Sequence, residues 1–175
     1  MRSSLLFRSL ALGAAAAVVV LSGCSREKDR WLNRRYHEVT ARFNPLHNGQ
    51  VAYAEAMAAA QEAHQDDFTQ LISVDDWSKV KTGTPGEAKA KRAVEKAAKT
   101  IQEHSMVFKG KQANPAVFDA YLLMARAQML MGLDAPASEA LSTVARLSAN
   151  QEQQVEAELE RAELLARQGN SALAE

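Results

Sequence analysis

Ala125, Gly132 and Ala137 stand seven and five residues apart, and Ala162, Gly169 and Ala174 reproduce that spacing 37 residues further on. Small side chains at fixed intervals let two helices approach closely, and a glycine between them relaxes the connecting turn. The spacing predicts helical hairpins with Ala125 and Ala162 on the first helix, Gly132 and Gly169 in the turn, and Ala137 and Ala174 at the closest crossing on the second. Eight glycines and four prolines in 175 residues leave room for long uninterrupted helices. A chain of this length holds one small domain or a short repeat array and is too short for a barrel enzyme.

The remaining segments fit the same plan. Leu32, Tyr36, Val39 and Phe43 step by four, three and four, which predicts one buried helical face after Trp31. Asn44 precedes Pro45 and Asn48-Gly49 is a turn signal, so a second, alanine-rich helix is expected from Val51 to His64. Its stripe of Ala54, Met57 and Ala58 suits contact with the first helix, giving a hairpin over 31–65. Residues 66–83 lack a helical period and read as an extended linker. Thr84, Pro85 and Glu87 then form a helix start: a cap, a first-turn proline and a capping-box glutamate. The following helix is expected to bury Val94, Ala97, Ala98, Ile101 and His104. Asn114 before Pro115 repeats the start, and helices are expected at 115–132, 135–149 and 151–168. The expected fold class is all-α, an array of about three helical hairpins, with repeats over 84–175 of which the last is incomplete.

The N-terminus carries an export signal. Arg2 and Arg8 precede an apolar run from Leu10 to Leu21, followed by Ser22-Gly23-Cys24. Twelve helical residues cover about 18 Å, well short of the roughly 30 Å hydrocarbon core, so the run reads as a leader rather than a span. Leu21-Ser22-Gly23-Cys24 resembles the lipobox of bacterial lipoproteins. That resemblance implies cleavage after residue 23, a thioether-linked diacylglycerol and an N-terminal acyl chain on Cys24, and a lipid-anchored mature protein. Several acyl chains anchor stably where one is marginal. Removing residues 1–23 leaves 19 basic and 21 acidic residues, a formal charge of −2, with residues 24–30 as a charged, mobile tether.

The repeat itself resembles the tetratricopeptide repeat. Tyr121 lies near that motif's first aromatic position, Met124-Ala125 at its Leu-Gly pair, and Leu141 at its later large apolar site; Gln128 stands where a tyrosine is usual. A longer likeness runs through Trp31-Leu-Asn-Arg-Arg-Tyr36-His37, Phe43-Asn44, Asp67-Phe68-Thr69-Gln70-Leu71, Lys99-Thr100-Ile101-Gln102-Glu103-His104 and Lys109-Gly110-Lys111-Gln112-Ala113-Asn114-Pro115. Over about residues 24–135 the chain resembles the tetratricopeptide lipoproteins of type IX secretion and gliding motility, the SprE and PorW group. The resemblance implies an outer-membrane lipoprotein facing the periplasm that binds secretion translocon and motor or ring components. Members of that family are longer, so the chain reads as an N-terminal portion. Two alternatives stay open: a generic periplasmic repeat lipoprotein, such as an outer-membrane assembly factor or chaperone-like adaptor, and an envelope hydrolase.

Catalytic patterns are scarce. His37, His47, His64 and His104 include no pair four apart and no His-Glu-x-x-His, and no phosphate-cradling glycine loop occurs. Asp66-Asp67 and Asp75-Asp76 suit caps or solvated turns better than a paired-carboxylate or calcium site. A single cysteine excludes an internal disulfide and a multi-cysteine zinc site. No enzyme activity, cofactor, metal, nucleic acid or small-molecule substrate is expected. Two features could bind a partner: the aromatic set Trp31, Trp77, Phe68 and Tyr53, which reads more readily as inter-helix core than as a ligand cage, and a basic face, where Lys79, Lys81, Lys89, Lys91, Arg92, Lys96 and Lys99 stand against only Glu87 and Glu95. Such a stripe suits anionic lipid headgroups or an acidic partner; the plain alternative is a solvated helix face.

Overall fold

The computed structural model describes residues 25–64, 68–69 and 79–168. The leader, Cys24, most of the expected linker, Gly169 and Ala174 lie outside the described residues. Helix α1 (Trp31–Ala41) runs into a single π-helical turn (Arg42–Leu46) and on into α2 (His47–Ala63). Helix α3 (Pro85–His104) follows, then a hairpin of strands β1 (Val107–Phe108) and β2 (Lys111–Gln112), then α4 (Ala116–Leu130), α5 (Asp134–Leu147) and α6 (Gln151–Arg167). The described residues are mostly helical, as the composition predicts.

Each helix from α2 onward packs against the next in sequence. Helix α4 also touches both α2 and α6. The core is small-residue packing. Ala90, Ala93 and Ala97 of α3, Ala116, Ala120, Ala125 and Ala127 of α4, and Ala137 of α5 are fully buried. Phe118, Leu122, Met129, Leu141, Val144 and Leu164 fill the largest cluster, between α4, α5 and α6.

The N-terminal half departs from expectation. No hairpin forms across Pro45 and Asn48-Gly49, because the backbone stays helical through both. A proline inside an α-helix removes one hydrogen bond and presses its ring on the carbonyl four residues back. The wider π turn relieves this locally: the His47 N–H reaches the Arg42 carbonyl, and Pro45 and Leu46 are buried. Gly49 serves close packing instead of a turn. A Cβ there would sit 2.8 Å from Leu123 Cδ2 and 3.1 Å from Lys96 Cβ. The packing partner of α2 is α3 rather than α1.

The buried positions follow from that continuity. They fall at Asn33, His37, Ala41, Pro45 and Gly49, then Ala52, Ala56 and Ala60. The face expected to be core is therefore solvent-facing: Trp31 is 74% exposed, Leu32 57%, Tyr36 46%, Val39 48% and Phe43 79%. Of the expected stripe of α2, Ala54 and Ala58 are exposed, while half-buried Met57 packs against the cluster of Ala56, Ala60, Ala90 and Leu130.

Boundaries downstream agree with the expected helices to within two residues. Thr84 caps α3 by accepting from the Glu87 N–H at 3.4 Å. Glu87 returns the contact to the Gly83 N–H at 2.7 Å, one residue before the cap. Asn114 is buried and joins two helices, accepting from the Ala116 N–H at 3.1 Å and donating to the His104 carbonyl at 3.0 Å. The β-hairpin was not expected; Lys109 and Gly110 both take positive φ, as a tight two-residue hairpin turn requires.

Candidate functional site

The expected packing residues divide into two groups. Ala125 and Ala137 are fully buried in the same cluster, where α4 and α5 meet. Gly132 has φ +72°, its N–H donates to the Met129 carbonyl at 3.0 Å, and the Leu133 N–H donates to the Gln128 carbonyl at 2.8 Å. These two bonds are a Schellman termination, which favours glycine at that point. Ala162 is only half-buried; the fully buried small residue of α6 is Ala157.

Polar contacts tie α4 and α6 together. Gln153 donates to Asp119, and its own Oε1 accepts from Ser148 Oγ at 2.7 Å. Arg42 reaches the other Asp119 oxygen at 2.9 Å, extending this ladder to the π turn. Arg126 Nε donates to Glu160 at 2.6 Å, and its Nη2 bridges to Glu156. Gln168 and Asp134 meet at 3.5 Å. Three of these pairs, Asp119 with Gln153, Arg126 with Glu160, and Asp134 with Gln168, join residues 34 apart. Burial raises the Glu160 carboxyl above the ordinary range against the pull of Arg126. Burial also disfavours charge on Arg126, but Glu160 and Glu156 outweigh it and hold the guanidinium protonated.

The basic stripe is only partly assembled. On α3, Lys89, Arg92, Lys96 and Lys99 share a face at helical spacing, and Lys91 projects from a different side. Several are paired: Lys89 with Glu55 at 3.6 Å, Lys91 with Glu87 at 2.9 Å, and Lys99 with Glu103 at 3.6 Å. Paired and exposed lysines contribute little stability and present a weaker field than their count suggests. Lys96 and Lys99 also line a cleft of about 240 Å³ with Tyr36, Thr40 and His104.

Beside that cleft, the fold brings together two histidines 67 residues apart. His37 Nδ1 and His104 Nδ1 are 3.3 Å apart, with Thr40 Oγ1 3.4 Å from His104 Nδ1. Both imidazoles are buried. Burial, then the His37 ring, lowers the pKa of His104 from its ordinary value of 6.5. No spacing rule in the sequence signals this pair, since it joins α1 to the end of α3. Among the described residues no group of three or more His, Cys, Asp or Glu side chains is arranged to hold a metal, and no helix is long and apolar enough to cross a membrane.

The tether is hydrogen-bonded to the helices. Asn33 Nδ2 donates to the Ser25 carbonyl at 2.8 Å and to the Lys28 carbonyl at 3.2 Å, and Arg26 donates to the Gln102 carbonyl. Buried Asn33 thus folds residues 25–30 back onto α1.

A scan against protein-family models finds no match to this chain, and comparison with curated proteins finds no significant similarity.

Proposed function

We propose that the chain is an outer-membrane-anchored, tetratricopeptide-like scaffold lipoprotein that binds other envelope proteins, in type IX secretion and gliding motility. The observation that carries the repeat reading is the 34-residue separation of three polar pairs between neighbouring helices. Thirty-four residues is the length of one tetratricopeptide unit, and stacked units of that length bring such positions side by side. The contact of α4 with both α2 and α6, and the burial of Ala125 and Ala137 where α4 and α5 meet, support the same reading. The leader and the Leu21-Ser22-Gly23-Cys24 motif support the lipid anchor. On this reading the protein works by geometry and is not an enzyme. An extended repeat surface holds partners, and confinement to one leaflet raises their effective concentration.

Crosslinking mass spectrometry in intact cells tests the function. Crosslinks from α2, α4 or α6 to secretion translocon, motor or ring components are expected, and a Cys24→Ser variant should lose them together with membrane fractionation. Crosslinks confined to outer-membrane assembly factors would reassign the scaffold to other clients, and turnover of peptidoglycan by the purified protein would refute the scaffold.

A further inference from the structure

Five large apolar side chains stand in solvent on α1 and the start of the π turn: Trp31, Leu32, Tyr36, Val39 and Phe43. At about 100° per residue, Leu32, Tyr36, Val39 and Phe43 fall within roughly 60° of one another, and Trp31 widens the arc to about 140°. The helix already has a packed side, with Asn33, His37 and Ala41 facing inward. The apolar arc is thus a second face, unpartnered among the described residues, on a helix whose inner face is more polar than its outer one. Contiguous exposed apolar surface of this kind marks an interaction site.

Three observations select its occupant. Ser25, the residue after Cys24, is hydrogen-bonded to Asn33 in the first turns of α1. Consecutive Cα atoms are about 3.8 Å apart, so acyl chains on Cys24 would start beside this helix. The charge around the arc is basic: residues 25–43 hold Arg26, Lys28, Arg30, Arg34, Arg35 and Arg42 against Glu27, Asp29 and Glu38. Arg35 and Arg42 fall inside the arc, between Trp31 and Val39 at helical spacing, and are themselves paired with Glu38 and with Asp119, so the free positive charge beside the arc comes from the rest of the set. Finally, Trp and Tyr beside long arginines are the side chains that settle at a membrane interface, ring at headgroup level and guanidinium reaching water.

From these we infer that α1 lies along the surface of a phospholipid bilayer containing anionic lipid, with Trp31, Leu32, Tyr36, Val39 and Phe43 inserted at the headgroup boundary. The inference rests on the lipid anchor proposed above and adds a second attachment to it. A helix held this way orients the whole array, because α1 is continuous with α2 through the π turn. The scaffold would stand at a fixed angle to the membrane rather than swing on a free tether.

Fluorescence quenching tests this with the full chain purified from membranes. Trp31 and Trp77 are the two tryptophans, so a Trp77→Phe variant reports Trp31 alone. The protein is reconstituted in phosphatidylcholine and phosphatidylglycerol vesicles with brominated acyl chains, and its intact mass reads acylation of Cys24 independently. The expected result is bromine quenching of the Trp31 emission, since an interfacial helix buries its apolar face about 5–10 Å into the headgroup and acyl boundary. Replacing exposed Leu32 and Phe43 by Asp should abolish the quenching while the circular dichroism stays unchanged. Emission quenched by aqueous iodide but not by bromine, in acylated protein, would overturn the inference, as would shielding from both, which signals a protein occupant. Quenching by bromine in protein whose mass lacks acyl chains would refute the anchor and still support the docking of α1.

Discussion

The stack of α4, α5 and α6 and the N-terminal run of α1 and α2 are both amphipathic helices, yet their apolar residues have opposite fates. In the stack they are buried: Phe118, Leu122, Leu141, Val144 and Leu164 fill one cluster sealed by Ala125, Ala137 and Ala157. In α1 they face water, and the inner positions are Asn33 and His37, satisfied by tether carbonyls and by His104. Periodicity establishes that a helix has an apolar side; only the neighbours decide whether that side is core. A helix that turns its apolar side outward has a polar inner contact to keep it there, and here Asn33 and the histidine pair supply it.

Substitutions at the crossings sharpen this contrast most. Ala125→Glu, in the stack, would bury an unpaired carboxylate at the closest approach of α4 and α5, at a cost of about 3 kcal/mol or more. Thermal melting followed by circular dichroism should fall by roughly 6–12 °C. Ala162→Glu, at a half-buried position of α6, should cost under about 1 kcal/mol. Equal losses for the two would mean that the crossing lies elsewhere.

Gly49→Ala probes the N-terminal run at its tightest point. The new methyl would press on Leu123 and on Lys96 Cβ, while a gain of about 1 kcal/mol in helix propensity offsets part of the crowding. A net loss of about 1 kcal/mol in chemical denaturation is expected. A gain would place α2 further from α3 and α4 than described.

The histidine pair gives that region a pH dependence of its own. His104 is faced by His37 from α1, by Glu103 and Lys99 of its own helix, and by Arg26 of the tether. Its folded pKa is depressed, so the unfolded chain binds the proton more readily. Stability is then full above the ordinary imidazole value of 6.5 and declines as pH falls below it. Melting measured from pH 7.5 downward should show this decline in the wild type and a flatter curve in His104→Gln. The smallest effect is expected from Lys91→Ala, which removes one exposed ion pair to Glu87 and should change stability by less than about 0.5 kcal/mol.

Much of the stack was legible in the sequence because its signals are local. Thr84 as a cap, Gly132 as a left-handed terminator and the helix of Phe118 to Leu130 depend on residues a few positions apart. The N-terminal run was not legible, since Pro45 and Asn48-Gly49 are strong breakers that a π turn and a close contact with Leu123 absorb in three dimensions. The basic stripe also meets acids that a local count leaves out: Glu87 is within the counted segment, but Glu55 and Glu103 pair with Lys89 and Lys99 from outside it. His37 and His104 meet only because α1 lies on α3, which no short spacing encodes. The 37-residue offset of the alanine and glycine pattern falls partly on Gly169 and Ala174, outside the described residues, while polar contacts between α4 and α6 include pairs 34 apart that no short spacing encodes.

That register is the most direct test of the stacked-repeat account. Cysteines placed at Arg126 and Glu160, with Cys24 replaced by serine so that only the new thiols react, should link rapidly through a short bis-thiol reagent in the folded protein. A control pair at Arg126 and Glu158, on the other side of α6, should not link. Reaction of the control pair, or failure of the 34-residue pair in protein with normal helical circular dichroism, would contradict the stack.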